Sequence, residues 1–105
     1  MSLRILLCCG AGISSGMLAQ NSRKVAKKNN IDATIDAKSE SQVSDYLSKV
    51  DVLLLGPHYE IQLEKFRKLA EPYGVNVDVI PREIYGMVDG QGLLDFAQKV
   101  ANRKG

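Results

Sequence analysis

Two thiols stand side by side at Cys8 and Cys9, and the chain behind them, Gly10-Ala11-Gly12, carries almost no side chain before Ile13, Ser14 and Ser15. A thiol attacks as its thiolate, and the partial positive charge at the start of a helix favours that form. If the apolar run through Cys8 is a strand and a helix starts near Ser14, the turn between them offers successive backbone N–H groups to an anion. Glycines allow close approach, and the Ser14 and Ser15 hydroxyls either add donors to phosphate oxygens or cap the helix. A thiolate inside such a cradle suits a phosphocysteine. The plain alternative is that the cysteines are small buried hydrophobes and the glycines only a tight turn. Cys8, inside the strand, fits that alternative. Cys9, at the strand's end ahead of unhindered backbone, fits an exposed nucleophile.

Such a loop needs a sheet to hold it. Residues 4–8 (RILLC) and 51–56 (DVLLLG) are nearly continuous apolar runs, as expected of central strands covered on both faces in a parallel sheet. Residues 31–37 (IDATIDA) and 75–80 (VNVDVI) alternate, placing Ile31, Ala33, Ile35 and Val75, Val77, Val79 on one face, as edge strands do. Between them, Val43, Tyr46, Leu47 and Val50 recur at helical spacing behind a Ser39–Gln42 capping box. Tyr59, Leu63, Phe66 and Ala70 form a stripe ended by Pro72 and Gly74, and Leu93, Phe96, Ala97 and Val100 form a last one. Met17, Leu18 and Val25 place a first helix after the glycine turn. The alternation of strands and helices predicts an open α/β fold: a four-stranded parallel sheet of order 2-1-3-4 with helices on both faces. A crevice then opens beyond the carboxyl ends of strands one and three, where Cys9 begins one loop and residues 56–60 (GPHYE) form the other.

The whole composition narrows the chemistry. At 105 residues, one domain over 1–105 is expected. The chain is 45% hydrophobic and 25% charged, as in ordinary globular proteins, and its net charge of +2 gives no strong basic field. With few aromatics and no Trp, a nucleic-acid partner is set aside. No apolar stretch approaches a membrane span and no secretory leader is evident, so a cytoplasmic protein without direct membrane insertion is expected. Adjacent cysteines lie too close for an ordinary disulfide with each other.

Other chemistries fit the thiol loop less well. Gly10-x-Gly12-x-x-Ser15 with Asp36 after it is a defective dinucleotide fingerprint, and no Gly-Lys-Ser is present for a nucleotide loop. Redox catalysis usually uses Cys-x-x-Cys, and one His with two adjacent Cys gives a metal too few spaced ligands. Neither metal nor cofactor is expected. The fold and thiol loop are similar to those of low-molecular-weight tyrosine phosphatases, yet the arginine that closes such a loop six residues after the cysteine is Ser15 here. Rapid hydrolysis is therefore not expected. A stand-alone cysteine phosphatase and a non-catalytic anion-sensing module remain the alternatives.

Three stretches together resemble a family. Residues 6–19 (LLCCGAGISSGMLA), 51–58 (DVLLLGPH) and 84–94 (IYGMVDGQGLL) are similar, in order, to the IIB component of the lactose/cellobiose class of the bacterial phosphoenolpyruvate-dependent sugar phosphotransferase system. Cys9, Gly12, Ser14, Ser15 and Leu18 match the loop element, and Tyr85, Gly86, Val88, Asp89 and Gly90 match the later one. The resemblance implies a flavodoxin-like phosphoryl carrier. A phosphohistidine on a IIA partner would give its phosphoryl group to Cys9, cradled by Gly10, Ala11, Gly12, Ile13, Ser14 and Ser15. The phosphocysteine would pass it to a sugar, a β-glucoside or a disaccharide such as cellobiose or lactose, bound in a membrane IIC transporter.

There are departures. Gly16 stands where a third hydroxyl is often found, and His58 where glutamine is expected. His58 either lies across the crevice from Cys9 or caps the third helix, the latter being the plainer reading. Tyr85 and Asp89 fall in the loop after the fourth strand and shape the rim or meet a partner, with Asp89 equally suited to cap the last helix. Arg23, Lys24, Lys27 and Lys28 read as a solvated helix face, and Glu60 and Glu64 as surface charges.

Overall fold

The computed structural model describes residues 3–8 and 13–102, without the side chains of residues 13–15. Strands β1 (Leu3–Cys8), β2 (Ala33–Lys38), β3 (Val52–Leu55) and β4 (Asn76–Val79) form one parallel sheet in the order β2-β1-β3-β4. The apolar runs are thus central and the alternating ones lie at the edges. Ile5 pairs with Ile35 on one side and Val52 on the other, and Leu53 pairs with Val77.

Period-two geometry sends alternate residues of β1 and β3 to opposite faces, and each face meets its own helices. On the first, Ile5, Leu7, Val52, Leu54 and Ile35 pack with Leu18, Ala19 and Ala26 of α1 (Ile13–Lys28) and Leu93, Leu94, Ala97 and Val100 of α5 (Gly90–Ala101). On the second, Leu6, Cys8, Leu53, Leu55 and Val77 pack with Val43 of α2 (Val43–Tyr46), with Leu47 and Tyr59, and with Phe66 and Ala70 of α3 (Leu63–Ala70). The edge strands are each covered on one face, and on opposite ones: β2 turns Ile35 toward α1, while β4 turns Val77 toward α3. Thr34 and Asp36 of β2 face outward. The polar side of β4 instead meets the end of α5, where the Asn76 side-chain amide donates to the carbonyls of Val100 at 2.9 Å and Ala101 at 3.3 Å. The last carbonyls of a helix lack the donor four residues on, and here the Asn76 amide, together with the Asn102 N–H on the Val100 carbonyl, caps that end.

Three local features depart from the sequence reading. The Ser39–Gln42 capping box does not close, because the Ser39 hydroxyl donates to the Gln42 side-chain oxygen rather than accepting from its backbone N–H. The second helical segment is accordingly α-helical only over four residues, between 3-10 turns Glu40–Gln42 and Leu47–Lys49. Ser41, Ser44, Asp45 and Ser48 are residue types of low helix propensity, which disfavours a longer helix. Third, Arg82–Gly86 forms a short helix, α4, where a loop is expected; its five residues are too few to show a periodic stripe. The end expected of the third helix is present, with Gly74 in the left-handed region at φ 68° closing it.

The amino edge of the sheet is tied by Arg4 and Asp51: the Asp51 carboxylate accepts from the Arg4 backbone N–H at 2.9 Å and pairs with its guanidinium at 3.3 Å. Near this edge Leu3 and Asn102, at the two ends of the described chain, line one shallow groove with Ile31 and Asp32. No helix among the described residues is long and apolar enough to cross a membrane.

Candidate functional site

The carboxyl ends of three strands are laced together. The Gly56 N–H donates to the Cys8 carbonyl at 2.9 Å, and the Ile80 N–H to the Leu55 carbonyl at 2.8 Å. The chain after β3 therefore leaves from beside the chain after β1, at the crevice where open α/β sheets bind ligands. Cys8 is fully buried beneath this edge, as a small hydrophobe of the second core. Cys9, Gly10, Ala11 and Gly12 lie outside the described residues. Ile13, Ser14 and Ser15 form the first turn of α1. That helix is 16 residues long, has no acidic residue in its first turn and carries Lys27 and Lys28 in its last. Its own first turn thus puts no carboxylate at the positive end, and the cations complement the negative one.

The rim residues come together from separate elements. After β3, Gly56 occupies the cap position of the 3-10 turn Pro57–Gln62, and His58 follows inside its first turn. The cap assigned to His58 from sequence thus belongs to Gly56, since the extended backbone required there falls two residues earlier. His58 is exposed on the rim. Its ring lies 4.7 Å from that of Tyr59 and 6.2 Å, edge to face, from that of Tyr85 on α4. Tyr59 is buried and meets Phe66 edge to face at 5.9 Å, so the base of this aromatic group is fixed in the core. Tyr85, half-buried, touches both cores where they meet at the carboxyl edge.

Asp89 has a structural task. Its carboxylate accepts from the Gly92 N–H at 3.0 Å and caps α5. The residue before it, Val88, has φ 49°, a left-handed conformation that a β-branched side chain adopts only at a cost of about 1–2 kcal/mol. The Asn21 side-chain amide holds it there by donating to the Val88 carbonyl at 3.0 Å. The residue after, Gly90, lies against α1 so closely that an added methyl would fall 2.6 Å from the Asn21 carbonyl and 2.8 Å from the Ser22 nitrogen. Residues 88–90 therefore dock the start of α5 onto the middle of the helix that follows the thiol loop. Asn21 escapes the sequence reading because its partner is 67 residues away and nothing local marks it.

The charged residues behave as surface groups. Arg23 donates to the Ile35 carbonyl at 2.7 Å and pairs with Asp36, Lys24, Lys27 and Lys28 are exposed, and Glu64 pairs with Arg67. Glu60 is exposed. A groove of about 890 Å³ runs along β4 between α3 and α5, away from the carboxyl edge. Three of its polar residues are engaged internally, Arg67 donating to the Val77 carbonyl and pairing with Glu64, and Asn76 donating to α5.

A parallel sheet of this order, with a buried thiol ending β1 and the exits of β1, β3 and β4 laced side by side, defines an open α/β protein with a crevice at the carboxyl edge. The sequence of residues 4–96 matches the family "PTS system, Lactose/Cellobiose specific IIB subunit", and the chain belongs to that family. It is 38% identical over 103 residues to the galactose-specific EIIB component of Lactococcus lactis subsp. cremoris (strain MG1363), spanning 93% of this chain and 95% of that one. The cellobiose-specific EIIB component of Lactococcus lactis subsp. lactis (strain IL1403) is 38% identical with the same coverage. The solution structure of the cellobiose-specific IIB component from Borrelia burgdorferi superimposes with a TM-score of 0.79 at 36% identity, over 97% of this chain and 94% of that one.

Proposed function

We propose that this chain carries a phosphoryl group on Cys9 during sugar uptake, as a cytoplasmic relay between a IIA phosphohistidine protein and a membrane IIC transporter. The observation that supports this reading is the end of β1: Cys8 is buried there and its carbonyl accepts from the Gly56 N–H, so the strand that leads into the Cys9 loop ends beside the β3 exit. The Cys9 thiolate attacks the phosphorus of the donor, forming an S–P bond as the N–P bond breaks and the imidazole nitrogen keeps the electron pair. A sugar hydroxyl, of a β-glucoside or a disaccharide such as cellobiose or lactose, then attacks the same phosphorus. The S–P bond breaks, the thiolate returns, and the hydroxyl proton passes to solvent.

Between these steps the group must be held without reaching water. Backbone N–H groups of the segment from Gly10 to Ser15 would hold it, as a helix N-terminus suits an anion, and Ser15 in place of an arginine leaves its charge less neutralised for hydrolytic attack. Tyr85 shapes the rim beside this site, and Asp89 fixes the segment that supports it.

The test is direct. Supplied with phosphoenolpyruvate, the general phosphotransfer proteins and a matching IIA, the protein should gain one phosphoryl group by intact mass. Cys9→Ser should abolish the gain. Cys8→Ala should keep it while losing about 1 kcal/mol of stability from the core. Uptake that persists in Cys9→Ser, or turnover of a phenyl phosphate without any partner protein, would overturn the assignment.

A further inference from the structure

We propose that Arg23 is a strap that closes the free edge of β2 and keeps it from pairing with a second copy of this chain. Nothing in this rests on the thiol loop. A strand at the end of a sheet turns a row of backbone groups to solvent, and such a row pairs readily with another strand. The Leu3 N–H donates to the Asp32 carbonyl, so residues 32, 34 and 36 turn their backbone groups to β1, and Ala33, Ile35 and Ala37 turn theirs outward. At the other edge the Ile80 N–H reaches the Leu55 carbonyl, and Val75, Val77 and Val79 are outward in the same way.

The two edges are closed to different degrees. On β4 each outward residue has one group engaged. The Val75 N–H donates to the Ala70 carbonyl at 3.3 Å, the Val77 carbonyl accepts from Arg67 Nε at 3.4 Å, and the Val79 N–H donates to the Asp78 carboxylate at 2.7 Å. On β2 the Ala33 N–H turns back to the Ile31 carbonyl at 3.0 Å, and the Ile35 carbonyl accepts from Arg23 Nε at 2.7 Å. The outward N–H groups of Ile35 and Ala37 have no such partner among the described residues. Closure of the middle of β2 thus falls to one side chain. α1 covers the face to which Ile35 points, Asp36 points to the other, and Arg23 reaches both, pairing with the Asp36 carboxylate at 3.3 Å. The guanidinium therefore passes around the edge.

The occupant it excludes follows from the strand itself. Two copies of β2 aligned antiparallel about Ile35 would exchange both outward backbone bonds of that residue. The same register sets Ala33 against Ala37, Thr34 against Asp36 and Asp32 against Lys38 of the second copy. Opposite charges meet and no like charges stand directly opposed, so the edge is self-complementary about a two-fold axis. Two repulsions oppose the pairing: the Asp36 carboxylates lie diagonally, and Lys27 follows Arg23 by one turn on α1. Salt weakens both.

Sedimentation equilibrium in about 0.5 M salt, where screening acts within about 4 Å, is the test. The unaltered protein and Arg67→Met should keep the mass of one chain, the latter because Val75 and Val79 stay engaged. Arg23→Met retains the apolar stem and loses the donors, and its mass should climb toward twofold between about 10 and about 500 µM. Exchange of the Ile35 and Ala37 amide hydrogens should slow about tenfold over the same range. Asp36→Ala, at an exposed position, releases the far end of the strap and should associate as well, which serves if Arg23→Met does not fold. A folded Arg23→Met that stays a single chain overturns the proposal, as does association that leaves exchange at Ile35 and Ala37 unchanged. An unaltered protein already paired through β2 overturns it too. If Arg23→Met does not fold, a monomeric Asp36→Ala has the same force.

Discussion

Gly16 and Gly90 lie at the two helix starts of the α1/α5 layer, and they have opposite reasons to lack a side chain. A methyl at Gly16 would meet nothing within 4 Å, whereas one at Gly90 would collide with the backbone of Asn21. Gly16→Ala should raise stability by about 0.5–1 kcal/mol, because the unfolded chain loses freedom that the helix does not use. Gly90→Ala should lower it by about 1–3 kcal/mol, because two helices must separate. Thermal melts of the two variants, scored against each other, check both signs. The same contrast shows what a local reading can reach. The roles of Cys8 and of Asp89 as a cap follow from neighbours in sequence. The clamp of Asn21 on Val88 does not, since a polar residue on a helix carries no mark of a distant carbonyl.

At the scale of elements, the start of α5 is held by one carboxylate and one close contact. Asp89→Ala should cost about 1 kcal/mol in denaturant unfolding and leave phosphoryl uptake on Cys9 intact, which separates a cap from a group that handles the phosphoryl. Uptake lost together with stability in a protein that is still folded would count against that separation. The strands and their order were legible because burial on two faces and on one face leave different patterns: Val52 to Leu55 is all apolar, while Ala33 to Lys38 alternates. The stripes of α3 and α5 were legible for the same reason. α4 was not, because five residues cannot complete a pattern, and neither was the break-up of the segment around α2, where residues of low helix propensity are interleaved with the apolar stripe. The aromatic meeting of His58 with Tyr85 was also hidden, since it depends on a 3-10 turn and a short helix that only the sheet order brings together.

Across the whole molecule the sheet is polar in its duties, with loops gathered at the carboxyl edge and an ion pair closing the other. Burial of Asp51 by itself raises its pKa, but the Arg4 side-chain hydrogen bond, the Arg4 N–H and the Arg4 charge outweigh this and hold it below the ordinary 3.8. A depressed carboxyl stabilises the fold above its unfolded value and loses that contribution as pH falls through the folded one. Stability should therefore decline below about pH 4, and Asp51→Asn should flatten that part of the profile. With both side chains more than a third exposed, the pair contributes only about 0–1 kcal/mol, and phosphoryl transfer at neutral pH should be unchanged. Leu3 and Asn102 border one groove on this same side. Anything tethered there, a neighbouring module or a surface in an assay, would hang from the side of the sheet opposite its carboxyl edge and leave the loops at that edge uncovered. Joining those two positions by a short linker and opening the chain elsewhere should likewise give a circular permutant that still folds.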